Sequence, residues 1–245
     1  MAHVAHRAPI TNRLLDRLPA KDRARVLAAC DEVELTSPEI LAEPGDSIRH
    51  VYFPTGAYIS LVTPMGGKNS LEVALVGNEG IYGAPVALGV GISPVHALVQ
   101  GSGSAQRMGA AAFRRELARV PALRNCVDRY IYVLMSQVNQ TAGCNRFHVV
   151  EQRVARWLLT TADRAHSASF HITHELLAFM LGVRRVGITE AAGALQDRKL
   201  IGYSRGTLNI RDRNGLERAA CVCYRSDVST YDRIFPLARH GVVHA

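Results

Sequence analysis

Basic side chains are concentrated in one part of this sequence. Residues 145–215 carry 11 basic and 6 acidic side chains, within a chain of 245 residues whose net charge is +8. A local surplus of arginine and lysine is the electrostatic footprint of a surface that binds phosphate groups. Solvated basic surfaces that bind nothing have the same composition. The spacing of residues within the segment has to distinguish these two interpretations.

Residues 172–210 have the spacing of two helices that cross at a sharp turn. Thr173 is suited to cap the first helix, and Gly182 is suited to end it in the left-handed conformation. Small residues at Ala178 and Ala191 would let the second helix approach the first closely. The predicted inner positions keep one register throughout: Leu177, Ala178, Leu181, Val183, Ile188 and Ala191. This pattern predicts a helix-turn-helix.

Two short strands are predicted directly after the second helix. Leu200–Tyr203 and Thr207–Ile210 flank a turn at residues 204–206, which is typical of the antiparallel hairpin called a wing. Arg205 would lie at the tip of that hairpin. A guanidinium there is suited to contact a phosphate group or the minor groove.

Cysteine and histidine offer other chemistry, which the spacing does not favour. Cys221 and Cys223 could bind a soft metal ion, but we find no second pair in the sequence that completes a tetrahedral site. Five scattered cysteines do not form a disulfide framework, and we interpret them as reduced, partly buried thiols. His50 and His96 are too far apart for the metal set of a cupin-type enzyme. We therefore predict no metal site and no enzyme activity.

The elements that would position the basic segment begin with a region rich in turns. Residues 33–109 hold 12 of the 20 glycines and 6 of the 10 prolines. These residues separate short apolar runs, which is typical of an all-β sandwich or barrel. The runs are Val51–Phe53, Tyr58–Val62, Leu71–Val76 and His96–Val99.

A long helix is predicted between the β region and the basic segment. After Pro121, apolar side chains recur at steps of three or four: Leu123, Val127, Tyr130, Leu134, Val138 and Thr141. We expect the helix to end near Gly143 and to pair with a second copy of the chain. The alternative is that this apolar stripe packs on the β region of its own chain.

With these elements in this order, the chain resembles the Crp/Fnr family of bacterial transcription regulators over nearly its whole length. The resemblance implies an α+β fold: an N-terminal double-stranded β-helix, the cyclic-nucleotide-binding-like jelly roll (residues 1–120), a dimerisation helix (121–145), a winged helix-turn-helix (146–225) and a C-terminal tail (226–245). It is closest to a branch without an assigned small ligand, through runs such as Phe147–Gln152 and Leu216–Tyr224.

In that family the second helix of the helix-turn-helix enters the major groove. Arg185 could donate hydrogen bonds to the O6 and N7 atoms of guanine, and Glu190 could accept a hydrogen bond from N4 of cytosine. Val186 and Glu190 differ from the glutamate and arginine of the best-known members, so we expect a different operator. The DNA-binding residues implied by position are Thr173, Arg184, Arg185, Val186, Thr189, Glu190 and Arg205. The implied partners are double-stranded DNA, a second copy of the chain and RNA polymerase.

The usual cofactors of the family are not expected. The run Gly77–Gly80 only approximates the ribose-binding pair, and residues 69–106 contain no lysine or arginine for a cyclic phosphate. Cyclic AMP and cyclic GMP are therefore disfavoured. Only Cys30 lies near the N-terminus, which disfavours an oxygen-sensing iron–sulfur cluster.

No secretory signal or membrane-spanning run is visible in the sequence, so we expect a cytoplasmic protein without a membrane partner. A second function class remains open. The winged helix could dock a protein partner instead of DNA, because a fold does not by itself determine a function.

Overall fold

The computed structural model describes residues 11–67, 69–204 and 206–236. The described chain begins with a 3₁₀ turn at Leu15–Arg17 and helix α1 at Ala20–Leu27. Leu14, Leu15 and Val26 from this segment are buried in the core that also holds Phe53 and Phe113. The short N-terminal helices therefore close one side of the domain that follows.

The predicted β-roll is confirmed. Two antiparallel sheets, in the orders β1-β7-β3 and β2-β6-β4-β5, form the jelly roll. Gly66 and Gly67 have φ angles of +86° and +60°, which the turn between β4 and β5 requires and which glycine adopts without steric cost. The strands are β1 (Asp31–Leu35), β2 (Glu39–Ala42), β3 (His50–Pro54), β4 (Tyr58–Pro64), β5 (Ser70–Val76), β6 (His96–Gly101) and β7 (Gly103–Gly109).

The helices after the roll are α2 (Ala110–Arg119) and the long helix α3 (Pro121–Phe147). The prediction that α3 ends near Gly143 is wrong by about one turn. A glycine inside a helix costs only about 1 kcal/mol, and Cys144 in the added turn is buried, so tertiary packing outweighs the propensity. The helix ends where His148 becomes extended, with φ −113° and ψ 144°.

The apolar stripe of α3 is divided between two faces. Leu123, Val127 and Tyr130 are buried in the core of their own chain. The expectation that the whole stripe faces a second copy is therefore wrong for this half, and the alternative of packing on the β region holds there. A neighbouring face exposes three apolar side chains, of which Val138 belongs to the predicted stripe: Tyr132 (52%), Met135 (60%) and Val138 (37%).

The winged helix-turn-helix is confirmed, with an additional strand that the sequence did not predict. Strand β8 joins the wing, so that the small antiparallel sheet has the order β8-β10-β9. The elements are α4 (Val150–Ala165), β8 (Ser169–His171), α5 (His174–Leu181), α6 (Arg185–Asp197), β9 (Ile201–Ser204), β10 (Thr207–Ile210), α7 (Arg213–Ala219) and α8 (Val222–Ile234).

Helix α8 corrects the prediction of a tail from residue 226. The helix continues to Ile234 because its apolar side is covered: Tyr231 and Phe235 lie in the core of the β-roll and α3. The Tyr231 hydroxyl also donates to the backbone oxygen of Glu79 (3.1 Å). Residues 237–245 of the predicted tail lie outside the described residues. Among the described helices, none is both long enough and apolar enough to cross a bilayer.

Candidate nucleic-acid interface

The helix-turn-helix is built by local signals that act as the sequence predicts. Thr173 caps α5 by accepting a hydrogen bond from the backbone N–H of Leu176 (3.1 Å). Gly182 ends α5 with φ +60°, and Arg184 is the extended residue from which α6 starts. The turn between α5 and α6 is therefore as short as a helix-turn-helix requires.

The inner face of α6 is fully packed. Ile188, Ala191 and Leu195 are buried against Leu177 and Ala178 of α5 and against α4. Because helix faces repeat every 3.6 residues, this packing leaves the opposite face outward. That face carries the predicted DNA-reading residues Arg185, Val186, Thr189 and Glu190, all of which lie on the solvent side of the helix. The structure thus brings these four residues together on one accessible surface, with Arg184 at its start.

Two arginines at the beginning of α6 carry charge that the protein does not neutralise. In the described chain, neither Arg184 nor Arg185 forms a salt bridge. Cations at a helix N-terminus oppose the helix dipole, at a cost of about 0.3–1 kcal/mol each. Their position is therefore not explained by stability, and it fits an anion supplied from outside the chain.

His174 is a residue of this surface that the sequence analysis missed. Its Nδ1 lies 3.1 Å from Oγ1 of Thr189, which itself donates to the backbone oxygen of Arg185 (3.2 Å). A hydroxyl has one proton, so the imidazole is the donor in the first contact. The ring also stacks against Tyr203 of β9, at a centroid distance of 4.8 Å. Burial lowers the pKa of His174, and the charge of Arg185 lowers it further.

This contact ties the start of α5, the outer face of α6 and the wing together. The hydroxyl of Thr189, an exposed residue, is held by His174 and the backbone. Only the position of His174 directly after the capping residue could have drawn attention to it in the sequence. Arg205, predicted at the tip of the wing, lies outside the described residues, so its contact remains a prediction.

A second group of side chains overturns the expectation that nothing completes a site around Cys221 and Cys223. Cys144 and His148 meet them, and one ligand atom from each of the four residues lies within 4.8 Å of the others. The two halves are brought together because the end of α3 lies beside the start of α8. Hydrogen bonding from the Cys221 thiol lowers the pKa of Cys144, and the Arg156 guanidinium acts in the same direction.

A cavity of about 640 Å³ lies between the β-roll and the winged domain, beside the places where the two are in contact. It is lined by β5, α3, α4 and α8, and its volume is within the range of about 300–1,000 Å³ typical of small-molecule sites. Paired charges already occupy its wall, because Arg164 of α4 contacts Glu79 (3.1 Å) and Arg156 contacts Asp227 (2.8 Å). The cavity thus lies where a bound molecule would touch both domains.

Comparison with known proteins identifies the same domain. Residues 152–219 match the Crp-like helix-turn-helix domain. No curated protein matches the sequence at a significant level. The segment that matches contains α5, α6 and the wing, and therefore the exposed face described above.

Solved structures share the fold over most of the chain. The c-di-GMP-responsive global regulator CLP of Xanthomonas campestris has a TM-score of 0.65 at 14% identity, covering 78% of this chain and 99% of that one. A putative transcriptional regulator of the Crp/Fnr family from Eubacterium rectale has a TM-score of 0.63 at 17% identity, covering 84% and 96%. A CRP-family transcriptional regulator from Thermus thermophilus has a TM-score of 0.64 at 20% identity, covering 77% and 96%.

Proposed function

We propose that this chain is a DNA-binding transcription regulator of the Crp/Fnr family and acts as a homodimer that inserts α6 of each protomer into the major groove of a two-fold symmetric operator. The observation that carries the proposal is the exposed face of α6, whose two leading arginines have no acidic partner in the described chain. Two such helices in a dimer would meet successive major grooves about 34–36 Å apart.

Each residue of that face has a proposed role. Arg184 binds a backbone phosphate, and Arg185 reads guanine through its two nitrogen donors. Glu190 accepts from the amino group of cytosine, while Val186 and the methyl group of Thr189 offer apolar contacts to thymine. Arg205 binds a phosphate group or enters the minor groove. Thr173 acts indirectly, because its hydroxyl is used to cap α5.

The exposed apolar face of α3 supports the homodimer. Tyr132, Met135 and Val138 follow one another at steps of three residues, with Ile131 and Leu134 half-buried beside them. An apolar stripe at this spacing on a long helix is suited to pair with an identical stripe of a second chain. The dimer interface is thus proposed for the half of α3 that its own β-roll leaves free.

We propose an effector other than a cyclic nucleotide or an iron–sulfur cluster. Glu79, in the run that only approximates the ribose-binding pair, is already held by Arg164 and by the backbone N–H of Gly77 (3.1 Å). A molecule in the cavity between β5 and α4 would instead displace or strengthen these contacts. It would thereby shift the population of protomers whose winged domain is oriented for binding DNA.

A regulator of this type acts on transcription, so we also expect it to contact RNA polymerase and to work in the cytoplasm, where the DNA is. The rival function is docking of a protein partner by the winged helix. The unpaired arginines at the start of α6 favour DNA, since a protein groove would need matching carboxylates at both positions.

The proposal is tested by selecting sites from a random pool of DNA duplexes with the purified protein at low and moderate salt. We expect a two-fold symmetric sequence and an affinity that falls steeply with salt, with a logarithmic slope of about −0.9 for each phosphate contact. Affinity for a protein partner would depend on salt much less. Enrichment of no sequence at either salt, with or without cell extract as a source of effector, would contradict the proposal.

A further inference from the structure

Four side chains from distant parts of the chain meet where α3, α4 and α8 come together. Cys144 lies in the last turn of α3, and His148 is the residue that ends this helix. Cys221 is the extended residue before α8, and Cys223 lies in the first turn of that helix. Cys144 and Cys221 approach to 3.5 Å between sulfur atoms, and Nδ1 of His148 is 3.4 Å from Sγ of Cys223.

These distances are those of ligands around one tetrahedral ion. Zinc–sulfur bonds of about 2.3 Å and zinc–nitrogen bonds of about 2.0–2.1 Å place neighbouring ligand atoms about 3.6–3.8 Å apart. All four ligand atoms lie within 4.8 Å of one another, which fits a single ion and is too compact for a cluster of several metal atoms. Three cysteines with one histidine are a standard ligand set of structural zinc sites.

The surroundings suit a closed, anionic metal centre. Cys144, Cys221 and Cys223 are all buried, with at most 5% of any of them exposed. Gln140 donates a hydrogen bond to Sγ of Cys223 (3.0 Å), as outer partners of metal-bound thiolates do. Three thiolates around Zn²⁺ leave one net negative charge, and the Arg156 guanidinium, which also pairs with Asp227 (2.8 Å), acts favourably on the Cys144 thiolate.

We propose that Cys144, His148, Cys221 and Cys223 bind one Zn²⁺ that closes the base of the winged domain. Residues 149–220, which contain the whole helix-turn-helix and wing, begin directly after His148 and end directly before Cys221. One ion therefore fixes both ends of the winged domain to the last turn of α3. Binding takes up Zn²⁺ and releases the thiol protons of the three cysteines to solvent, so affinity rises with pH.

The site has a consequence for regulation that goes beyond the DNA contacts. Metal occupancy sets the angle between the long helix and the winged domain, and with it the separation of the two α6 helices in a dimer. Oxidation of Cys144 and Cys221 to a disulfide by an external two-electron oxidant would remove two ligands and release the zinc. The centre thus couples zinc supply and thiol oxidation to the orientation of α6.

The test uses the untagged full-length chain, reconstituted with Zn²⁺ under reducing conditions and freed of unbound metal. We expect about one zinc per chain by elemental analysis, and tetrahedral thiolate absorption when Co²⁺ replaces it. Cys223→Ser and Cys144→Ser should lose zinc affinity by more than the roughly 10- to 100-fold that loss of an outer hydrogen-bond partner costs. The loss of zinc affinity in Gln140→Leu should fall within that range.

Cys126→Ser is the matched control, because Cys126 is a half-buried cysteine of the same helix outside the cluster. It should keep the zinc, and so should His148→Cys, which preserves four ligands. If the serine variants do not fold, competition of the wild-type chain with a chromophoric chelator still measures the affinity. Zinc content of the reconstituted wild type no higher than that of Cys223→Ser, or a Cys144–Cys221 disulfide that persists under reduction, would overturn the proposal.

Discussion

Nε1 of Trp157 in α4 donates a hydrogen bond of 2.9 Å to a carboxylate oxygen of Glu72 in β5. The winged domain is thereby joined to the β-roll by a partly buried polar contact. The Ser60 hydroxyl donates to the other carboxylate oxygen (2.7 Å), so that Glu72 is held from both sides. This carboxylate is placed to report, through its protonation, on how the two domains are docked.

Burial raises the pKa of Glu72 from 4.5 to about 7, although hydrogen bonds from Ser60 and Trp157 and the charge of Arg156 oppose the shift. The folded state therefore holds this proton more tightly than the unfolded state does. The protonated Glu72 carboxyl group therefore stabilises the folded state. This contribution is fully present below about pH 4.5 and is lost as the pH rises to about 7.

We expect Glu72→Gln to remove this part of the pH dependence of the free energy of unfolding. The part removed should amount to roughly 1–3 kcal/mol between the low-pH and the high-pH limit. Urea denaturation of both proteins across the pH range measures it. Glu32→Gln, which changes an exposed carboxylate of β1, should leave the profile of the wild type unchanged. Parallel profiles for the wild type and Glu72→Gln would refute the assignment.

The buried pair of Glu79 and Arg164 should contribute strongly to the same interface. Only 3% and 15% of the two side chains are exposed. Glu79→Gln leaves a buried guanidinium without its carboxylate, which typically costs about 3–5 kcal/mol. Denaturation of Glu79→Gln, Arg164→Gln and the double variant forms a cycle. The double variant should be much less destabilised than the sum, and simple additivity would show that the two residues do not interact.

Substitution of the leading arginines of α6 should separate base reading from phosphate binding. Arg185→Ala should cost about 1–3 kcal/mol on the selected operator and relax the preference at one base pair of each half-site. Arg184→Ala should weaken binding to all DNA sequences alike. It should also reduce the slope of the logarithm of affinity against the logarithm of salt concentration by about 1. Binding isotherms at several salt concentrations measure both effects, with Arg225→Ala on the exposed side of α8 as control. An unchanged site preference in Arg185→Ala would exclude its proposed role.

Met135→Asp should convert the dimer into a monomer, because it places a charge in the middle of the exposed apolar face of α3. Light scattering coupled to gel filtration should show half the mass, and operator affinity should fall because the two half-sites bind independently. Ile40→Asp is the matched control: Ile40 on β2 is 57% exposed, against 60% for Met135. A dimer that survives Met135→Asp would place the interface elsewhere.

Gly182→Ala should destabilise the helix-turn-helix by about 1–2 kcal/mol, because φ at this position is +60°. The added methyl group would also lie 3.1 Å from the backbone oxygen of Ser70, at the contact between α5 and the β-roll. Gly143→Ala is the opposite case. Gly143 is inside α3 with open space around its Cβ position, so alanine should stabilise by about 0.5–1 kcal/mol. Thermal unfolding of both variants measures the change in stability, which should be negative for Gly182→Ala and positive for Gly143→Ala.

Much of the candidate interface could be predicted from the sequence because its determinants are local. The cap at Thr173 and the left-handed turn at Gly182 depend on residues within a few positions of each other. The inner face of α6 follows from helical periodicity, and the outer face that carries Arg185 and Glu190 follows from the inner one. The contact of His174 with Thr189 could not be predicted, since it depends on how α5 and α6 cross.

The sequence by itself determined the helices and strands of the helix-turn-helix and the wing, apart from β8, and which face of α6 turns outward, because backbone propensity and apolar spacing are properties of neighbouring residues. Only the tertiary structure decided that Leu123, Val127 and Tyr130 pack on their own β-roll while Met135 stays exposed. It alone joined His148 to Cys223 across 75 residues. The physical reason is that a helical pattern defines the direction of each side chain around its own axis, whereas the partner on each side depends on how whole elements dock.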